Sequence, residues 1–366
     1  MKKSLLFLPD ISGFTEFVQS TEVEHSQHVI AELLEILIDA NTLDLTLAEI
    51  EGDALFFYKE ESVPTFEAFM EQVQAMYKAF YTHLNLLKKH RICPCNACAT
   101  APQLELKIIA HSGPIQFITV HGNRKPFGTQ VIEAHRLMKN SVPSDNYILL
   151  SDSLSEDLGL AAGPHNEQFN FVAGKNHYDN RDVHYLYADL DPALIEIDPL
   201  PGSYVVDLPG PPQLLDCREF PISAEGLFEY ISNFQYRHLW NTEADGFEFD
   251  ENEVTKLGSK HVCVVNGQHL DFVTITKAVE PKQLVYGEMT KDPGPVDELY
   301  QFFIITPLGP DRCRLEIETF WKAQSVLKKL VLNLVAKRFF KKGLSLALDN
   351  ITKLVDMSNR SAVAEA

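Results

Sequence analysis

The sequence predicts an α+β protein of two domains, and three observations carry that expectation. Residues 1–188 alternate short apolar runs, the length of strands, with stretches whose apolar positions recur at helical spacing. Residues 189–212 then hold six prolines and two glycines, a composition that sustains neither a helix nor an inner strand and reads as a linker. Beyond it, from residue 213 to residue 358, short strand-like segments follow one another until one long amphipathic stretch closes the domain, leaving residues 359–366 as a tail.

Taken in order, Leu5 to Thr15 opens with a buried-strand pattern that ends in Asp10, Gly13 and a hydroxyl. Val29 to Ile38 repeats its apolar residues at three and four and predicts a helix. Leu45 to Ile50 and Ala54 to Tyr58 read as two strands joined at Gly52-Asp53. After Ser62 and Pro64, a longer helix carries Phe66, Phe69, Met70, Val73, Met76, Tyr77, Phe80, Leu84 and Leu87 on one face, which core packing explains. Leu104 to Ala110 and Ile115 to Val120 are apolar enough for central strands, with Ser112-Gly113-Pro114 turning between them. In the second domain, Leu214–Phe220, Lys260–Val265, Leu270–Val279, Gln283–Met289, Glu298–Thr306 and Arg312–Trp321 are the strand candidates. Helices are expected near Ala224–Ser232 and from about Ala323 to Met357.

Composition removes several classes of function. With 366 residues the chain can hold two full cores, since a domain takes roughly 100–200 residues. Hydrophobic residues at 45% and charged residues at 23% are those of a globular protein. A net charge of −19 argues against broad binding to nucleic acid or anionic membranes. No apolar run reaches the roughly 20 residues of a membrane span, and Lys2-Lys3 precede no signal-peptide pattern, so a cytoplasmic protein with reduced or metal-bound cysteines is expected.

The chemistry starts at Asp10. A carboxylate at a strand end, followed by a glycine that lets backbone amides turn, offers one hard-metal ligand beside N–H groups suited to phosphate. The plainer alternative is a helix cap at Ser12 or Thr15 with Asp10 complementing the helix dipole. Asp53 at the tip of the following hairpin supplies a second carboxylate, or simply turn chemistry.

Together these motifs resemble the metal-binding core of the class III adenylate and guanylate cyclases. Asp10, Ile11, Gly13, Phe14 and Thr15 match that family's first motif, and Gly52-Asp53 its hairpin. The resemblance implies a ferredoxin-like domain in which Asp10 and Asp53 hold two divalent ions, Mg²⁺ or Mn²⁺, that activate the ribose 3′-hydroxyl and brace the triphosphate. It further implies a homodimer, with nucleotide bound between protomers. Glu49, four residues before Asp53, falls on the purine-recognising position and matches the guanine choice; an exposed strand residue is the alternative. Phe127 to Leu137 matches the later motif, in which Arg136 corresponds to the arginine that stabilises transition-state charge. Two positions depart from the family. Ile132 stands where an asparagine should orient the substrate, and Lys125 stands at the second purine position in place of Asp or Cys.

In the second domain, Pro221 to Ile231 followed by Tyr236-Arg237-His238-Leu239-Trp240-Asn241 looks like the opening of the helix-grip, START-like or polyketide-cyclase-like superfamily (SRPBCC). That resemblance implies an antiparallel sheet wrapped on a long C-terminal helix, often around a hydrophobic ligand. A solid core is the alternative.

Two further features stand apart. His90, Cys93, Cys95 and Cys98 can complete a Cys₃His zinc site, while a redox pair or an ordinary loop are the other readings of the same cluster. Cys217, Cys263 and Cys313 read as buried small residues, and the spacing of His111, His121 and His135 singles out no ligand. Residues 322–342 carry seven basic side chains and no acidic one, which suits either a solvated helix face or peripheral contact with lipid.

Three functions follow from these readings. One is a signalling or regulatory module that binds a metal–nucleotide, GTP among the purines, with weak or lost cyclisation. The second is an active nucleotidyl cyclase, a phosphorus-oxygen lyase, of unusual specificity. The third is a carrier of a hydrophobic small molecule, with the first domain as dimeriser.

Overall fold

A computed structural model describes residues 2–365 apart from residues 22, 167, 179–180, 201, 252, 294–295 and 324–336. The chain divides into two units, Met1–Lys88 with Thr100–Pro199, and Lys89–Ala99 with Leu200–Ala366. The cysteine-bearing segment Lys89–Ala99 thus groups with the second unit, away from its sequence neighbours.

The first unit runs β1 (Ser4–Ser12), α1 (Phe14–Ser20), α2 (Val23–Asp39), β2 (Thr46–Glu51), β3 (Ala54–Lys59) and α3 (Phe66–His90). After α4 (Asn96–Thr100), which begins in the segment assigned to the second unit, come β4 (Glu105–Gly113), β5 (Gln116–Val120), β6 (Asn123–Phe127) and α5 (Thr129–Leu137). It ends with β7 (Tyr147–Ser151), α6 (Asp152–Asp157), β8 (Gly163–Pro164), β9 (Asn170–Tyr178) and β10 (Arg181–Asp189). Eight strands form one sheet in the order β2-β3-β1-β4-β7-β10-β9-β8. Its first four strands, with the intervening helices, have the succession and order of a ferredoxin-like βαββαβ unit. β1 is the hub: it pairs antiparallel with both β3 and β4 and is buried along its whole length, as its apolar run requires.

Eight of the nine residues expected on the α3 stripe are buried, and Phe69 meets Phe7 of β1 edge-on at 6.0 Å. Between them sits a buried glutamine that the periodicity does not explain. Gln72 accepts hydrogen bonds from the Thr42 and Leu43 amides at 2.7 and 3.0 Å and donates to the Ala40 carbonyl at 2.8 Å, so it satisfies the turn that delivers the chain from α2 to β2. The expectation for Ile115–Val120 is corrected. β5 pairs with β6 in a separate two-stranded ribbon, where Ile118 and Val120 are exposed. Apolar character alone does not distinguish a ribbon strand from a central one.

The second unit holds β11 (Leu214–Phe220), α7 (Ala224–Ser232), α8 (Arg237–Trp240), β12 (Gly246–Glu248), β13 (Lys260–Val265), β14 (Gln268–Ile275), β15 (Leu284–Lys291), β16 (Glu298–Gly309), β17 (Arg312–Lys322) and α9 (Lys337–Glu365). Its seven strands form an antiparallel sheet, β11-β17-β16-β15-β14-β13-β12. Every strand candidate of this domain is observed as a strand, Leu214–Phe220 and Lys260–Val265 with the expected ends and the other four with shifted ones, and the period-two face Leu315, Ile317 is fully buried. α9 sets Leu344, Leu348, Ile351 and Val355 against α7 residues Leu227, Phe228 and Ile231 and against that face. Residues 324–336, the first part of the expected helix with two of the seven basic residues of its run, lie outside the described residues. Gly287 permits the closest approach within the sheet: a Cβ there would stand 2.9 Å from the Ile275 carbonyl oxygen and 2.7 Å from the Phe302 ring. The proline-rich stretch is partly tied down as well, because the Val206 amide donates to the Thr276 carbonyl at 2.8 Å and the Thr276 amide to the Tyr204 carbonyl at 2.9 Å.

Charge is buried inside this second core. Arg237, on α8, is 1% exposed and pairs with Glu288, which also accepts a hydrogen bond from the Tyr286 hydroxyl at 3.0 Å. Burial opposes the Arg237 charge, and the adjacent Glu288 carboxylate more than restores it, so the guanidinium stays protonated. Its carbon lies 4.6 Å above the Trp240 ring. His261 stacks between Phe234 and Phe272, and burial together with Arg237 pushes its pKa down to about 2, so it is neutral. Of the three outlying cysteines, Cys263 and Cys313 are buried as expected, whereas Cys217 is exposed because its position on β11 faces away from the core.

Candidate functional site

The site is built on three neighbouring strands. Asp10 lies opposite Ala54 of β3 and opposite Lys107 of β4, and the Ile11 amide donates to the Asp53 carbonyl at 3.1 Å. This register brings the strand carboxylate and the hairpin carboxylate, 43 positions apart in sequence, to one edge of the sheet. Gly52, with φ of 73°, takes the left-handed conformation that the hairpin turn needs.

Burial raises the pKa of the Asp10 carboxyl above the usual aspartate range; Lys107 draws it back, and the nearby charges of Asp53 and Glu51 push it up again. Burial likewise raises Asp53, against its own backbone hydrogen bond and Lys107. Two carboxylates that repel each other and are drawn out of water share one compensating cation, the Lys107 ammonium, 3.1 Å from Asp10. Next to them, the Ser12 hydroxyl is buried without a hydrogen-bond partner. Paired acidic oxygens and an orphaned hydroxyl fit a hard divalent cation. With Lys107 already beside Asp10, they fit one such ion better than two.

The first motif divides by exposure. Ile11 is completely buried, so its side chain serves the core and not a ligand. Gly13 is exposed and sits at the α1 N-terminus with φ of 84°, and no side chain caps the helix; the expected Ser12 or Thr15 cap does not form. Phe14 is half-buried and Thr15 exposed on the same turn.

Glu49 and Lys125, the two residues that the sequence resemblance expects at purine positions, are brought together. Their side chains form an ion pair at 2.8 Å, both close to half exposed. At that exposure the pair contributes about 0.2–1 kcal/mol at most. Its consequence is chemical: the ammonium occupies one oxygen of the Glu49 carboxylate.

α5 starts after Gly128, whose φ of 121° admits few other residues, and presents Ile132, 52% exposed, one turn ahead of the half-buried Arg136. His135, which its spacing did not single out, reaches Glu51 on the hairpin with Nε2 at 2.9 Å and packs edge-on against Phe56 at 5.1 Å. Hairpin and α5 are thereby tied within one chain. His111, by contrast, is buried between Ser151 and Gln130 at 2.8 and 2.7 Å and serves the core.

The cysteines behave differently from the sequence expectation in one respect. The sulfurs of Cys93, Cys95 and Cys98 lie within 4.8 Å of one another, but His90 is not among the potential ligands grouped with them. Its ring stands edge-on to Tyr204 at 5.6 Å, and its carbonyl accepts from the Leu257 amide, so the start of the segment is committed to loops of the second unit.

Residues 30–147 match the model of a family described as "Protein of unknown function (DUF2652)". A curated relative, the uncharacterized protein Rv2561/Rv2562 of Mycobacterium tuberculosis, is 33% identical over 129 residues, which are 35% of this chain and 60% of the relative. The chain therefore spans about 60% of the length of that relative. Among solved structures, the guanylate cyclase domain of RhGC from Catenaria anguillulae in complex with GTP is similar at 18% identity over 52% of this chain and 97% of that one, with a TM-score of 0.37. The guanylyl cyclase domain of the RhoGC fusion protein from Blastocladiella emersonii is similar at 17% identity over 51% of this chain and 96% of that one, also with a TM-score of 0.37. A norcoclaurine synthase from Thalictrum is similar at 17% identity over 40% of this chain and 94% of that one, with a TM-score of 0.32. No helix among the described residues is long and apolar enough to cross a membrane.

Proposed function

We propose that the first unit binds a purine nucleotide through a divalent cation, in a homodimer, and turns it over slowly or not at all. The observation that carries this reading is the meeting of Asp10, on β1, with Asp53, at the tip of the adjoining β2–β3 hairpin, with burial opposing the ionisation of both. Mg²⁺ or Mn²⁺ held there would brace the triphosphate and lower the pKa of a ribose hydroxyl. The Gly13–Thr15 turn, with uncapped amides, is suited to receive phosphate oxygens. Arg136 is assigned the developing phosphate charge.

Slow turnover rests on two other positions. Ile132 has no donor with which to orient the ribose, and losing one such donor costs on the order of 10²–10³ in rate. Lys125 engages Glu49 and weakens its claim on guanine. The test is incubation with Mn²⁺ and each of GTP, ATP, CTP and UTP, with mass spectrometry of the products. The expected result is little or no cyclic product from any of them. Rapid formation of a cyclic product that disappears in an Asp10→Ala, Asp53→Ala variant would instead establish an active cyclase.

A second reading gives the work to the second unit, as a START-like carrier. It rests on a groove of about 450 Å³ lined by Val205, Val206, Leu208, Phe302 and Phe320 beside Lys277, on the sheet face away from α9, and not on a cavity under that helix, where Leu344, Leu348 and Ile351 pack on the core. A lipid retained in native mass spectrometry of the purified chain would support it.

A further inference from the structure

Within the second unit, the segment Lys89–Ala99 is held by the fold before any metal is considered. Arg91 bridges to Lys256, the Leu257 amide donates to the His90 carbonyl at 2.8 Å, and Ile92 packs on the core beneath α9. Arg91 also donates from its guanidinium to the Cys93 carbonyl at 3.0 Å, which fixes the approach to the first cysteine. Pro94 then turns the chain, and α4 starts with the Ala99 amide on the Cys95 carbonyl at 3.1 Å.

This local geometry gathers three sulfurs. Cys98 shares side-chain hydrogen bonds with both Cys93 and Cys95, and its backbone amide donates to the Cys95 sulfur at 3.3 Å. Cys93 and Cys98 are buried and Cys95 is half-buried, so the cluster is shielded yet reachable from one side. The sulfurs lie within 4.8 Å of one another. A tetrahedral zinc with bonds of about 2.3 Å sets its sulfur ligands about 3.8 Å apart, so small side-chain rotations close the difference.

We propose that Cys93, Cys95 and Cys98 bind one Zn²⁺ as three thiolates. Three S–H bonds break, three Zn–S bonds form and three protons pass to solvent, with no change of oxidation state. The fourth tetrahedral position is left to a nitrogen or oxygen ligand other than His90. This site is independent of the nucleotide reading, since it shares no residue with Asp10, Asp53 or α5.

The experiment uses the full chain purified under reducing conditions. Elemental analysis should find one zinc per chain, and X-ray absorption at the zinc edge should fit three sulfur neighbours and one nitrogen or oxygen. Cobalt exchanged into the protein should show thiolate charge-transfer bands. Cys93→Ser and Cys98→Ser should lose the metal, while His90→Ala and the exposed-cysteine control Cys217→Ser keep it. Because a ligand variant can also unfold, the absorption spectrum of the native protein decides independently of the variants. Native protein that takes up no zinc or cobalt under reducing conditions, a first shell with fewer than three sulfurs, or loss of metal in His90→Ala would each overturn the proposal.

Discussion

Replacing Ile132 with asparagine is expected to raise the rate of nucleotide cyclisation by on the order of 10²–10³ over the native chain, since that is the usual worth of one preorganised donor to a transition state. The position tolerates the change. Ile132 is 52% exposed on the solvent side of α5, so asparagine neither opens a cavity nor strains the core, and its lower helix propensity costs only a few tenths of a kcal/mol. Arg136, to which the proposed reading assigns the developing charge, lies one turn later on the same helix. The gain should appear as cyclic product in mass spectrometry with Mn²⁺ and should vanish when Asp53→Ala is added. A variant that binds nucleotide as the native chain does but forms no more product would refute the assignment of position 132. Breaking the Glu49–Lys125 pair in the same background bears on which base is chosen and not on rate, because the pair sits away from the reacting phosphate in this reading.

Arg237→Met is expected to destabilise the second unit by about 3–5 kcal/mol, the range for leaving one member of a buried ion pair uncompensated. Glu288, 2% exposed, would keep the Tyr286 hydroxyl, and His261, with Nε2 3.8 Å away, would have to take up its proton against its own burial to replace the guanidinium. Both tryptophans of the chain, Trp240 and Trp321, belong to this unit, so fluorescence follows its unfolding selectively. With a slope of about 1–3 kcal/mol per molar urea, the midpoint should fall by at least about 1 M. The double variant Arg237→Met, Glu288→Leu should recover most of that loss, because a well-packed apolar pair often matches the ion pair it replaces. Equal losses in the single and double variants would mean that packing over Trp240, and not charge, is what Arg237 supplies.

How far these sites could be read from sequence differs from residue to residue. A continuous apolar run located β1, three-and-four spacing α3, and alternation the second sheet, because burial acts along the whole of those elements. Asp10 and Asp53 were legible because a carboxylate beside glycine at a strand end is a local signal. Lys107 was not, since its contact with Asp10 depends on the β1–β4 register across 97 positions of sequence. His135 and Glu51 escaped for the same reason: neither carries a local pattern, and only the placement of α5 against the hairpin joins them. Arg237 was visible as part of a quoted signature, but a buried cation cannot be told from a surface one without the fold. The sequence grouping of His90 with the cysteines failed because nearness in sequence was taken for nearness in space, and the chain turns His90 toward Tyr204 instead.

The measurement that bears most directly on the account is calorimetric titration of the purified chain with a 3′-deoxy purine nucleotide, which cannot cyclise, with and without Mn²⁺. Native protein should bind it only when the metal is present, and the Asp10→Ala, Asp53→Ala variant, shown folded by circular dichroism, should lose that binding. Metal-independent binding, or binding undiminished in the variant, would contradict a nucleotide site organised by these two carboxylates.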